Sequence, residues 1–371
     1  MALKTYKLGE LIEPSDERNS EGIYGIDDVR GISTGKVFIE TKANMDGVGL
    51  ASYKVVKQYE FAYVSDTSRR GDKISLAYNK NCPEFLVSSI STVFRVKQPK
   101  ILLSDYLFIY FNRPEFDRFS RFNSWGSARE TFSWADLCDI DITLPDKATQ
   151  QKYVDIYESM VANQKSYEKG LDDLKLTCDA YIENSVNCRW EKLGNYIERN
   201  LKKNQDKLFS KSDVKGFNNY GQFIKPMRLF AGDVATFKVI SKGDFVYNSR
   251  VNSTIERLSI AYNEGEDLIV TPAYETFYVI KDKELYPYYL YFLLQRESFA
   301  KKVLFISFGS ATTFLSFDVL SEVKIPVIGY AEQKTVATVY KTYKKRCEIN
   351  EQLKQQIKDI CPILIKGSLE E

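Results

Sequence analysis

The chemistry most open to this chain is hydrogen bonding to a large polar partner, and it is concentrated in a few loop-like stretches. Ser124-Trp125-Gly126-Ser127-Ala128-Arg129-Glu130-Thr131 has a counterpart in Ser307-Phe308-Gly309-Ser310-Ala311-Thr312-Thr313. A second pair is Asp66-Thr67-Ser68-Arg69-Arg70-Gly71-Asp72-Lys73 and Arg250-Val251-Asn252-Ser253-Thr254-Ile255-Glu256-Arg257. Small residues let a backbone come close to phosphates, hydroxyls and amides donate, and arginine can read guanine edges with two parallel bonds. The candidate contacts here are Arg69, Arg70, Trp125, Ser127, Arg129 and Thr131, and in the second set Arg250, Asn252, Ser253, Ser310, Thr312 and Thr313. Further polar stretches add Lys36, Lys42 and Asn44, then Lys215, Asn218, Asn219, Lys225 and Arg228.

Other chemistries are excluded by what is missing. With no histidine, the chain can build neither a Ser-His-Asp triad, nor a Cys-His dyad, nor a zinc site with an imidazole ligand. The six cysteines form no C-x-x-C pair, so they read as scattered thiols rather than metal ligands, and no disulfide is expected. Neither a phosphate-binding G-x-x-x-x-G-K-[ST] loop nor the Asn/Asp-Pro-Pro-aromatic tetrapeptide of amino-group methyltransferases occurs. Pro145-Asp146 followed by Asp173-Leu174-Lys175 fits a nuclease pattern only formally, because the second part lies inside a long helical stretch. No catalytic centre and no metal site are expected.

These stretches are held by a chain that repeats itself. Lys7-Leu8-Gly9 returns as Lys192-Leu193-Gly194, and Phe61-Ala62-Tyr63-Val64-Ser65 as Phe245-Val246-Tyr247-Asn248-Ser249. Ile74-Ser75-Leu76-Ala77-Tyr78-Asn79 faces Leu258-Ser259-Ile260-Ala261-Tyr262-Asn263, and Gly126-Ser127-Ala128 faces Gly309-Ser310-Ala311, at offsets drifting only between 183 and 185 residues. So long a period means duplicated domains rather than a solenoid. In each copy, aromatic and β-branched runs such as 61–64, 91–96 and 276–280 read as strands, and 105–111 and 288–295 as buried helices.

A long helix ends each copy. Between Thr149 and Asn184 there is no proline, and Tyr153, Ile156, Tyr157, Met160, Tyr167, Leu171, Leu174, Cys178 and Tyr181 recur at helical spacing. Val336, Val339, Tyr340, Tyr343, Cys347, Asn350, Leu353, Ile357 and Ile360 do the same in the second copy. Such a stripe needs a partner, and the cheapest is the other copy. Opposite charge favours it: residues 146–185 carry five basic and eight acidic side chains, residues 331–371 eight and six. The domains expected are 1–146, a spacer helix 147–186, 187–329 and a second spacer helix 330–371. The whole is an α+β fold with two tandem homologous domains and an antiparallel coiled coil. A helix of about 36 residues would run roughly 54 Å, which suits a target with two separated sites; duplex DNA presents equivalent faces about 34–36 Å apart.

At 371 residues, 44% hydrophobic and with 52 basic against 50 acidic side chains, the chain can bury real cores and is no polycation. No apolar run is long enough for a membrane span and the start lacks a signal-peptide pattern, so a soluble cytoplasmic protein is expected.

These residues resemble the specificity subunit of type I restriction-modification enzymes. The likeness rests on Lys7-Leu8-Gly9 and Lys192-Leu193-Gly194 opening each copy, and on the segments that close them. Those are Leu137-Cys138-Asp139-Ile140-Asp141-Ile142-Thr143-Leu144-Pro145 running to Gln150, and Leu320-Ser321-Glu322-Val323-Lys324-Ile325-Pro326 running to Glu332-Gln333. The first copy departs in having Thr149-Gln150 and a displaced proline. The resemblance implies one recognition domain per half of a split, asymmetric DNA sequence, with paired helices setting the unread spacer. It implies docking of two methyltransferase (modification) subunits and of restriction/translocase subunits, and no homo-oligomer or membrane is required. This chain would hold no cofactor; S-adenosylmethionine, ATP and Mg would sit on the partners. The Gly-Ser-Ala loops match the family's DNA-facing loop. Two alternatives are a related type II or solitary methylation system with the same DNA reading and no motor, and a non-DNA interaction scaffold.

Overall fold

A computed structural model describes residues 3–41, 43–68, 71, 73–127, 129–185, 188–218, 221–226, 232–251, 257–307 and 313–371. Its contacts divide the chain into two compact units, Met1–Glu168 with Ile349–Glu371, and Lys169–Glu348. The divide falls inside both long helices, so each unit combines one globular domain with part of each helix.

In the first unit an antiparallel sheet is built from Ile12–Ser15, Ser91–Val96, Phe61–Val64 and Ser75–Tyr78, in that spatial order. The second unit repeats it with Ile197–Arg199, Tyr274–Val279, Asp244–Asn248 and Ile260–Tyr262. The repeat extends to side chains. Phe61 lies opposite Phe94 and Tyr78, and Phe245 opposite Phe277 and Tyr262. The Phe61–Phe94 rings stack at 5.0 Å and the Phe245–Phe277 rings at 4.8 Å. Every one of these four phenylalanines is buried, and such pairs add about 0.5–1.5 kcal/mol beyond their burial. Short ribbons repeat as well: Lys54–Val56 with Phe85–Val87 matches Lys238–Ile240 with Leu268–Val270.

Three short helices follow each sheet: Ser104–Phe111, Pro114–Phe122 and Trp134–Cys138 in one unit, Pro287–Gln295, Glu297–Ile306 and Phe317–Ser321 in the other. The first of each trio reads from Leu and aromatic content because those side chains fill the core; Tyr289, Leu290 and Leu294 are fully buried. The chain then returns to its start: Asp141–Leu144 pairs with Lys4–Lys7, and Lys324–Val327 with Arg189–Lys192. This closing ribbon brings Leu8 and Leu193 into the two cores and explains why the Lys-Leu-Gly tripeptide recurs. At each glycine of that tripeptide a Cβ would press on the closing segment, 2.8 Å from Cys138 Cβ at Gly9 and 3.0 Å from Ser321 Cβ at Gly194.

The long helices run Lys147–Glu183 and Tyr330–Glu370. Asp146 caps the first, its carboxylate accepting from the backbone N–H of Ala148 and Thr149. In both copies a fully buried glutamine then ties the helix to its domain. Gln150 Nε2 donates to the carbonyls of Ile101 and Pro145 while its Oε1 accepts from Leu103 N–H. Gln333 does the same with Glu284, Ile328 and Tyr286 N–H.

Within the first unit the start of one long helix lies antiparallel on the end of the other. Lys152 pairs with Glu371 and Gln164 Nε2 donates to Asn350 Oδ1 at 2.9 Å. Glu168 meets Lys354 at 2.5 Å beside that buried amide pair. Within the second unit Cys178 and Ile182 share a core with Val336, Ala337 and Tyr340. The expected seam residues Tyr153, Tyr157, Met160, Tyr167, Leu171, Leu174, Tyr340, Tyr343, Cys347, Leu353, Ile357 and Ile360 are all buried or half-buried. Two stripe positions need correction: Ile156 and Tyr181 are 42% and 41% exposed, and Val154 is buried instead of Ile156. Val154 and Ile156 lie two residues apart, on nearly opposite sides of the helix, and the pattern of Tyr153-Val154-Asp155-Ile156 fits either face. All six cysteines carry free thiols. No helix among the described residues is long and apolar enough to cross a membrane.

Candidate nucleic-acid interface

The two polar loops of the first domain are neighbours in space. Trp125 and Thr131 exchange backbone hydrogen bonds at 3.1 and 3.0 Å, closing a short loop over Gly126–Glu130. The segment after the sheet docks against it: Thr67 N–H donates to Glu130 O, and Phe132 N–H to Ser65 O. Arg121, from the preceding helix, is paired with Glu130. In the second domain Arg250–Val251 pairs with Thr313–Phe314, joining the corresponding two segments.

Gly126 has φ +140°, and a Cβ there would lie 2.2 Å from the carbonyl oxygen of Arg129. Backbone cannot yield as a flexible side chain can, so Gly126→Ala should reorganise the loop. Because the loop lies outside the core, the expected result is a thermal midpoint within a few degrees of wild type with altered duplex binding. An unchanged binding preference would show that this loop makes no contact.

Around the loop, Trp125 is 66% exposed, and Ser127 and Arg129 are exposed too. Arg129 and Arg250 have no ion-pair partner among the described residues, and both are solvent-facing. Within the first unit an open groove of about 560 Å³ is lined by Lys73, Pro114, Asp117, Arg118, Arg121 and Phe122. The acid among its described lining residues, Asp117, is already neutralised. Lys36 Nζ lies 2.5 Å from Asp117 Oδ1, in a pair whose side chains are 6% and 13% exposed. Asp117 also accepts from Ile74 N–H, and Lys36 donates to Ile74 O. Burial holds the Lys36 ammonium below the ordinary lysine range, against the pull of Asp117. Arg118 is paired with Glu115 at 3.2 Å and Arg121 with Glu130, which leaves Lys73 without an ion pair among the described residues and the groove with a small excess of positive charge.

Several sequence-based candidates stand differently in the structure. Lys36 is a correction: its ammonium is committed to a buried ion pair and cannot reach a partner in solvent. Asn218 is another, since its side chain closes the 216–224 hairpin through Gln222 N–H and Gln222 Oε1. Thr131 is half-buried and acts mainly through its backbone. Asn44 is exposed, with Oδ1 accepting from Asp46 N–H. Lys215 is half-buried with its backbone bound to Ile269 O, and Lys225 is exposed beyond the hairpin. Lys42, Arg69, Arg70, Asn219, Arg228, Asn252, Ser253, Ser310 and Thr312 lie outside the described residues, as does the side chain of Thr313. The groove cations Lys73, Arg118 and Arg121 were not singled out from sequence. The i, i+3 and i+4 spacing of Arg118, Arg121 and Phe122 on one short helix was the available signal. No group of His, Cys, Asp and Glu able to hold a metal ion is found among the described residues.

Residues 194–359 match the family model for the type I restriction modification DNA specificity domain. The fold is that of the type I restriction-modification system S subunit from M. genitalium, at 13% identity, TM-score 0.55, covering 99% of this chain and 96% of that one. A structure described by the assembly and conformational transition of the type I R-M system aligns at 14% identity and TM-score 0.49, over 99% and 98% of the two chains. The HsdS subunit from Thermoanaerobacter tengcongensis aligns at 13% identity and TM-score 0.37, over 99% and 96%. No curated protein matches the sequence.

Proposed function

From the match of residues 194–359 to the type I restriction modification DNA specificity domain, we propose that the whole chain is a two-headed reader of a split, asymmetric DNA sequence. Residues 1–146 read one half and residues 187–329 the other. The observation that carries this is the duplication itself: two domains share one topology down to stacked ring pairs, yet differ in the polar loops that each topology brings together. A duplicated fold with unlike loops suits two unlike half-sites on one kind of polymer. The cationic groove beside the first loop supports a polyanion as that polymer.

The chain's part in the reaction is recognition and placement. Backbone N–H groups, hydroxyls and lysines fix the duplex through phosphates, while arginine side chains discriminate base edges. The long helices contribute to both units and set the unread gap between half-sites. Two methyltransferase subunits supply S-adenosylmethionine and act on adenine; restriction subunits add ATP-driven translocation and cleavage. The direct test is to co-express the chain with its neighbouring methyltransferase gene and map adenine methylation over a genome. A two-part motif with a fixed gap is expected, and methylation unaffected by the presence of this chain would overturn the reading.

The arginines give a sharper expectation. Arg129→Ala should relax one half-site and Arg250→Ala the other, each by about 1–3 kcal/mol of discrimination. The check is a binding series over duplexes varied in one half at a time. Uniform weakening across all sequences would assign that arginine to a phosphate.

A further inference from the structure

The two half-sites differ in sequence, so any contact element that both domains keep must act on what all duplexes share: phosphates and stacked base pairs. One exposed element recurs in this way. Phe122 ends the helix Pro114–Phe122 and is 78% exposed; Phe305 stands in the last turn of Glu297–Ile306 and is 90% exposed. Their offset, 183 residues, is that of the Gly-Ser-Ala loops that follow each of them. A single exposed apolar side chain needs no explanation, but the same one at the same register of two diverged copies does. Each ring also follows a cation by four residues, Arg118 and Lys301, which places ring and charge on one helical face.

Resting on the DNA-reading assignment above, we propose that Phe122 and Phe305 are aromatic wedges, each unstacking one base step in its own half-site while the cation four residues earlier holds the adjoining phosphate. The setting of Phe122 favours a duplex over a protein surface. It lines a groove with Lys73, Arg118 and Arg121. Among the described lining residues the acid Asp117 is neutralised by buried Lys36, Arg118 and Arg121 sit in surface pairs with Glu115 and Glu130, and Lys73 has no ion pair. An apolar protein partner would desolvate Lys73 without pairing it, whereas a phosphate backbone pairs it and can take over the exposed arginines, whose surface pairs are weak. The ring stands three residues before Trp125, at the mouth of the loop closed by the Trp125–Thr131 hydrogen bonds. Apolar side chains inserted at base steps cost a few kcal/mol of unstacking, which a bent duplex returns as added contact. Because every base has a π-face, such a wedge adds affinity without selecting sequence.

The test uses the full chain assembled with its methyltransferase partner and duplexes carrying the mapped motif. 2-Aminopurine is placed in turn at each position other than the methylated adenines. Wild type is expected to give a several-fold rise in fluorescence at one step in each half. Phe122→Ala should abolish only the rise in the first half and Phe305→Ala only that in the second, each lowering affinity about tenfold with motif and melting temperature unchanged. Tight, specific binding with no such rise overturns the wedge and leaves the reader intact. So does a rise that survives both alanine variants, or loss of methyltransferase copurification in either one, which would mark these rings as protein-docking residues. Failure of the wild-type assembly to prefer the motif would instead overturn the reader itself.

Discussion

Replacing Asp117 by alanine is expected to destabilise the first unit by about 3–5 kcal/mol, the range for breaking a buried ion pair from one side. The pair joins two distant segments: Lys36, in a turn between short strands, and Asp117, on the helix Pro114–Phe122. Asp117 Oδ1 also holds Ile74 N–H, at the head of the Ser75–Tyr78 strand. Removal leaves an ammonium beside the Phe116 ring with only the Ile74 carbonyl for company. The loss should depend on pH, and the sign follows from burial. Lys36 already titrates below the usual lysine range, and without its carboxylate it falls further. The unfolded chain then binds the proton more tightly than the folded one, so the stability of the variant rises with pH. Its deficit against wild type should be full at pH 6 and shrink toward pH 10. Urea denaturation at both values checks this, and a deficit that is equal at both would mean that Lys36 keeps its proton in the folded variant across this range, its titration not depressed by burial. Replacing both partners together, Lys36→Met with Asp117→Leu, should cost far less than Asp117→Ala alone.

That pair also marks where sequence reading ends. The duplication, the strand cores and the long helices were legible because they are written in period and self-similarity: Phe61 and Phe245 occupy the same register in both sheets. The likeness to type I specificity subunits was legible from the segments that open and close each copy, and the specificity-domain match over residues 194–359 bears it out. Lys36 was read as a surface cation because nothing local reveals that the chain brings Asp117 against it from 81 residues away. Asn218 misled for the opposite reason: its partner Gln222 is only four residues on, and a hairpin-closing asparagine looks like any polar loop residue. Along the helices, the apolar stripe gave the face but hid its polar members. Asn350 fell in the stripe by spacing, but its partner Gln164, buried and bonded to it, did not, and such a buried polar pair helps fix register. The groove cations escaped because charge on a short helix is normally solvated, and only the fold sets Arg118 and Arg121 beside Lys73.

Gln333→Leu should cost the second unit about 3–5 kcal/mol, as much as a charged-pair rupture, although no charge is involved. The amide is fully buried and makes three bonds to backbone: two donated to the carbonyls of Glu284 and Ile328, one accepted from Tyr286 N–H. Leucine fills the volume and strands all three groups, each worth about 1–3 kcal/mol when buried without a partner. Gln333→Glu separates the terms. A glutamate can keep the bond from Tyr286 N–H, but its second oxygen would face two carbonyls, which only a protonated carboxyl can satisfy. The folded state therefore raises its pKa above the unfolded value of about 4.3. The sign is then opposite to that of the Asp117 variant: the glutamate protein is closest to wild type below about pH 4 and loses stability as pH rises through the raised value. Gln150→Glu should behave alike in the first unit, because Ile101, Pro145 and Leu103 surround it in the same way. Denaturation midpoints from pH 4 to pH 8 check both. A pH-independent deficit would mean that water reaches the site and that the glutamine does not clamp helix to domain. The functional consequence follows from position. Gln150 and Gln333 each fix a globular domain to its long helix, so under the function proposed above Gln333→Leu should blur the gap between half-sites while leaving the bases of the first half unchanged.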